Sequence, residues 1–111
     1  GVQAVGKFPI HLASSDIDML SFSGHKIHAP KGVGALYVKR GSRFRPLLRG
    51  GHQERGRRAG TENAAGIVGL GMACELAEVH MPIMSHLAEL RDELQAAVGS
   101  ASRRRTAGEQ R

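Results

Sequence analysis

The sequence changes character at Thr61, and that change limits the folds open to the chain more than any other feature. Before it, glycine recurs at Gly24, Gly32, Gly34, Gly41, Gly50, Gly51, Gly56 and Gly60, a density that implies short strands joined by turns rather than long helices. After it, Ile67, Val68, Leu70, Met72, Leu76 and Ala77 repeat at spacings of three and four, and the pattern predicts a helix from about Asn63 to Val79. Asp18–Ser23 and Gly34–Lys39 read as short strands, the first largely buried, with Gly24–Val33 as the loop between them. Pro82 suits the first turn of a further helix, whose stripe Ile83, Leu87, Leu90, Leu94 and Val98 ends naturally at Gly99. That stripe cannot bury itself and needs a docking surface. The residues after Gly99 include no large apolar side chain and are expected to be a disordered basic tail.

Length sets a second bound, because 111 residues allow one domain at most. No run of 18 apolar residues occurs and no signal segment opens the chain, so neither a membrane span nor a secretory route is expected, and a cytoplasmic setting is the default. One cysteine, Cys74, excludes an intrachain disulfide framework, and its place in the helical pattern makes it a small core residue rather than a nucleophile. Half of the 16 basic residues lie between Lys39 and Arg58, opposed there only by Glu54. Such a cluster raises the alternative of a basic nucleic-acid-binding module, but the aromatics needed for a stacking platform are scarce. His25, His28 and His52 lack Asp, Glu or Cys at ligand spacing, so no metal is expected; His11, His80 and His86 read as surface residues.

Chemistry concentrates in the first loop. Lys26 sits just past the end of a strand, where ligands commonly bind; beside other cationic groups its amine would become a usable nucleophile toward a carbonyl. Ser23, Gly24 and His25 add a hydroxyl, a backbone amide and an imidazole, which together suit an anionic oxygen cluster. The plainer readings stay open: a solvated lysine and a tight turn. Thr61, near a helix start, could act as an N-cap, meet an anion there, or do both.

Four blocks of sequence, Gln3–Lys7, Asp16–Lys26, Pro30–Val38 and Gly50–Asn63, closely resemble the cysteine desulfurases of the class V aminotransferase superfamily, most of all the nitrogen-fixation type. The likeness runs in order and with continuous spacing to about residue 98. It implies an α/β fold: residues 1–80 as part of the large domain of the fold-type I pyridoxal-phosphate-dependent transferases and residues 81–98 as a long amphipathic inter-domain helix, leaving residues 99–111 as the disordered basic tail read from their composition. Carried over residue by residue, it makes Lys26 the lysine whose amine condenses with the aldehyde of pyridoxal 5'-phosphate. Gln3 would bond the cofactor's phenolic oxygen, Ser23, Gly24 and His25 would hold its phosphate, and Thr61 would reach the phosphate bound in the other subunit of a homodimer.

The implied reaction converts L-cysteine to L-alanine and leaves sulfur as a persulfide on an enzyme cysteine, for passage to an iron–sulfur scaffold protein. The resemblance also places an aspartate one position before Gly1, a ring-stacking histidine further upstream, and the persulfide cysteine and substrate arginine downstream of Gln110. Cys74 matches none of these. The chain is accordingly expected to be an internal piece of a longer enzyme, inactive alone, with an ending after Gly99 that departs from the family.

Overall fold

A computed structural model describes residues 1–108, in two compact units divided between Met81 and Pro82. The first unit opens with turns and a short 3₁₀ turn, Leu12–Ser14. It continues through strand β1 (Met19–Ser23), a second 3₁₀ turn (Gly24–Ile27), strand β2 (Gly34–Val38), a single helical turn α1 (Gln53–Gly56) and helix α2 (Ala64–His80). The second unit is helix α3 (Ile83–Gly108).

β1 and β2 pair antiparallel from Met19↔Val38 to Ser23↔Gly34. The ladder runs one bond past each end: Lys39 N–H donates to Asp18 O, and Gly24 N–H to Val33 O, both at 2.8 Å. Along β1 the side chains alternate as a pleat requires, with Leu20 and Phe22 half-buried and Met19 and Ser21 exposed. The strand is therefore less covered than its apolar sequence predicts. Burial of both faces of a strand needs neighbouring strands and covering layers, and among the described residues this sheet has two strands.

α2 begins at Asn63, whose side chain accepts the Gly66 N–H at 3.0 Å. Asn63, not Thr61, is thus the N-cap, an interaction worth about 1 kcal/mol. The helix docks through a narrow stripe of small residues. Gly66, Leu70 and Ala73 are buried, and Leu70 and Ala73 join Ile27 and Ala29 in the core, with Val5, Phe22, Val33 and Ala77 packed against it. A Cβ on Gly69 would come within 2.8 Å of the Pro30 ring, so glycine there sets how closely α2 approaches the loop. Much of the remaining helix surface is apolar and exposed, at Ile67, Val68, Met72, Leu76 and Val79. Cys74 is exposed too, which corrects its expected core position: among the described residues the core forms on the side of α2 that carries Gly66, Leu70 and Ala73.

In α3 the stripe Ile83, Leu87, Leu90, Leu94 and Val98 is exposed throughout. The expected stop at Gly99 is absent, because the helix continues to Gly108. The residues that follow Gly99 include alanines and arginines, strong helix formers that can carry a helix past a single glycine. The last part of the expected basic tail, residues 109–111, lies outside the described residues. No single helix among the described residues is long and apolar enough to cross a membrane.

Candidate functional site

The end of β1 and the turn that follows bring three of the expected site residues together. Ser23, the last residue of the strand, is half-buried, whereas His25 and Lys26 in the 3₁₀ turn are exposed. Ser23 Oγ and His25 Nδ1 lie 2.7 Å apart, close enough for a strong hydrogen bond whose donor depends on the tautomer of the ring. The turn is anchored by the apolar face of Ile27, 6% exposed, and closed by Ala29 N–H donating to Gly24 O at 3.0 Å. His28, at φ 68°, takes the left-handed conformation that ends the turn. Burial of Ile27 thus fixes the backbone, and the two residues before it are left facing outward with their polar groups accessible.

Gly24 corrects the expectation attached to it. Its N–H was expected to be offered to an anion, but the ladder takes it, through the bond to Val33 O at 2.8 Å. The residue is buried, and a Cβ there would lie 2.9 Å from Ala29 Cβ, 2.9 Å from Val33 O and 3.0 Å from Leu70 Cδ1. Glycine is required at this position for close approach between β1, the loop and α2, not for a free donor.

Gln3 and Thr61 are both exposed, and among the described residues no hydrogen bond joins either to Ser23, His25 or Lys26. Gln3 lies in the opening turn, where Val5 packs on the core and a Cβ on Gly6 would meet Ile27 Cγ2 at 2.9 Å; its segment therefore runs against the loop that carries Lys26. Thr61 lies two residues before the Asn63 cap. The donor set at the end of β1, a hydroxyl bonded to an imidazole with an exposed primary amine next in the chain, fits a ligand bearing both a phosphate and an aldehyde. The fit rests on the side chains and leaves out the Gly24 amide.

The basic stretch Lys39–Arg58 contains one helical turn, α1, with Glu54 and Arg55 in left-handed conformations at φ 50° and 59°. It offers no recognition helix of the kind that enters a DNA groove. What it does form is an open concavity lined by Arg45, Pro46, Leu48, Arg49, Gly50, Gly51, His52 and Gly56, a feature that no spacing in the sequence signalled.

Comparison with known proteins adds what the geometry alone does not. The family model for aminotransferase class-V matches residues 1–111. A cysteine desulfurase of Enterobacter agglomerans is 69% identical over 97 residues, covering 87% of this chain and 24% of the relative. Among solved structures, a NifS-like protein superposes with a TM-score of 0.84 at 44% identity, over 90% of this chain and 28% of its own. A second, SspA in complex with cysteine, gives a TM-score of 0.64 at 49% identity over 68% of this chain and 22% of its own. The chain thus spans about a quarter of the length of the proteins it matches, and its strands and helices are an α/β piece of the NifS-like fold. On the family match and these likenesses together, the chain belongs to the class V aminotransferases.

Proposed function

We propose that the chain is part of a pyridoxal-phosphate-dependent cysteine desulfurase, which takes L-cysteine to L-alanine and leaves the sulfur as a persulfide on an enzyme cysteine. The observation that carries this reading is the Ser23 Oγ–His25 Nδ1 pair at 2.7 Å immediately before the exposed amine of Lys26. It is supported by the 69% identity to a cysteine desulfurase and, for the substrate, by the cysteine complex of a structural relative.

In this reading Ser23 and His25 hold the cofactor's phosphate and Lys26 holds its aldehyde. Gln3 would bond the phenolic oxygen, and Thr61 would serve the phosphate site of a second copy in a homodimer. When bound, the cofactor supplies an electron sink for charge developing on the substrate carbon. Lys26 would move a proton between substrate carbons as general base and acid, and the Ser23–His25 pair, 2.7 Å apart, would hold the phosphate through side chains separate from that amine. Residues 81–98 would link the large domain to a second one, and an iron–sulfur scaffold protein would accept the sulfur, in the cytoplasm.

Incubation of the chain with pyridoxal phosphate, borohydride reduction and peptide mapping tests the cofactor site. The reduced adduct is expected predominantly on Lys26. An even spread over Lys7, Lys31 and Lys39, with Lys26 not preferred, would refute the assignment.

A further inference from the structure

Two left-handed glycines of the first unit, Gly6 at φ +77° and Gly32 at φ +83°, differ in what surrounds them. A Cβ on Gly32 would meet nothing within 4 Å, whereas one on Gly6 would lie 2.9 Å from Ile27 Cγ2 and 3.4 Å from Ala77 Cβ. Gly6 therefore sits where three pieces of chain meet: the opening turns, the 3₁₀ turn that carries Lys26, and helix α2. Ile27 is the buried anchor of that 3₁₀ turn, 6% exposed, and follows Lys26 directly. The opening turns are tied by Ala4 N–H and Val5 N–H donating to Gly1 O at 3.0 and 3.1 Å, and by Lys7 N–H and Phe8 N–H donating to Ala4 O at 3.0 and 3.2 Å. Gln3 lies inside the first of them. At its other end this segment rests on β1, where a Cβ on Gly1 would come within 2.7 Å of Leu20 Cδ2. Gln3 is itself exposed, so its place depends on how the turn is seated.

We infer, on the strength of the cofactor site proposed for this loop, that Gly6 is a positioning residue that sets the spacing between Gln3 and Lys26. The aldehyde and the phenolic oxygen of pyridoxal phosphate stand on neighbouring ring carbons, so two side chains from two pieces of chain have to meet them at once. Lacking a Cβ, Gly6 lets the opening turn close onto Ile27. A methyl there forces one side to give way. Ile27 belongs to the close-packed core with Ala29, Leu70 and Ala73, so the less buried opening turn moves and carries Gln3 with it. Gly6 acts through Gln3 and touches no part of the cofactor.

The test compares the unaltered 111-residue chain with Gly6→Ala, Gly32→Ala, Gln3→Ala and the double variant Gly6→Ala, Gln3→Ala. Without cofactor, amide-resolved NMR is expected to show Gly6→Ala shifts that reach Gln3 on one side and Lys26–His28 on the other. Gly32→Ala, with the same backbone strain but no contact, leaves Gln3 unmoved. With pyridoxal phosphate, the pH midpoint of the unreduced Lys26 adduct, followed by absorbance, reports on Gln3. An amide N–H on the phenolic oxygen favours the adduct nitrogen without its proton. Gln3→Ala should therefore raise the midpoint by about one pH unit, the size of one hydrogen bond to a charged oxygen. Gly6→Ala is expected to raise it by about half as much, and the double variant to match Gln3→Ala, because Gly6 then has nothing left to place. His25 and His28 in the turn, Lys7 in the opening segment and Glu75 and Glu78 on α2 are the same in every variant. A glycine that only stabilised the fold would change the melting temperature and leave the midpoint alone. The inference fails if Gly6→Ala leaves the Lys26–His28 amides in place, if its midpoint equals that of the unaltered chain, or if the two single effects add in the double variant. Should Gly6→Ala not fold, Gly6→Asn carries the same Cβ in a residue that tolerates the left-handed backbone, and the same outcomes decide. Failure of the cofactor site looks different: the unaltered chain then forms no preferred adduct on Lys26, which overturns that site and this inference with it, while the cofactor-free shifts still appear.

Discussion

Replacing Lys26 with arginine is expected to remove the borohydride-stable adduct at this position completely while leaving phosphate affinity at the Ser23–His25 pair within about twofold. Arginine keeps the positive charge but stays protonated at any accessible pH, so it cannot attack an aldehyde. The hydroxyl and imidazole that hold the phosphate are side chains of other residues, 2.7 Å apart, and the backbone of the turn is fixed by Ile27 rather than by Lys26. Mass-spectrometric quantitation of the adduct, paired with a phosphate titration followed at Ser23 and His25, separates the two functions. Persistence of labelling at wild-type level in Lys26→Arg would mean that another lysine reacts. Loss of both functions together would mean that Lys26 holds the turn.

Gly24→Ala is expected to damage the first unit severely, lowering stability by about 3 kcal/mol. The added methyl meets Ala29 Cβ and Val33 O at 2.9 Å and Leu70 Cδ1 at 3.0 Å. Val33 O cannot yield without stretching the ladder bond it receives from Gly24 N–H, and Leu70 and Ala29 make up half of the buried apolar core. Gly32→Ala is the matched control. Gly32 adopts φ +83° with nothing within 4 Å of a Cβ, so the cost there is backbone strain alone, about 1 kcal/mol. Urea unfolding of the three proteins reads the difference directly. Equal losses for the two variants would show that backbone conformation, not close packing, governs the loop.

The glycine-rich loops, both strands and α2 were legible because each depends on local sequence: positive φ and close approach for glycine, apolar alternation for β1, three-and-four spacing for α2. Periodicity could not show which side of α2 docks. Of the six residues that define its pattern, Leu70 is buried and Ala77 is packed on the core, whereas Ile67, Val68, Met72 and Leu76 are exposed. The docking side is written in Gly66, Gly69 and Ala73, small residues that carry little hydropathy but permit close contact. A helix apolar on nearly all sides is suited to burial on all sides, so the pattern records more surroundings than these residues supply. Within the site, neighbouring positions in sequence identified Ser23, His25 and Lys26, since a single turn keeps them together. The Gly24 amide was misjudged because its acceptor, Val33 O, comes from nine residues away. The Arg45–Arg49 concavity went unseen because it is made by backbone bonds that no residue type announces.

The contact between Ser23 and His25 also sets a hydrogen inventory. With a neutral ring the pair owns one O–H and one N–H; one of these closes the 2.7 Å bond, and a single hydrogen is left for an incoming anion. With an imidazolium, Nδ1–H serves the serine oxygen, and both the hydroxyl and Nε2–H become available along with a full positive charge. In the neutral pair the tautomer decides which group faces that anion: the Nε2–H when the hydroxyl closes the bond, the serine O–H when Nδ1–H does.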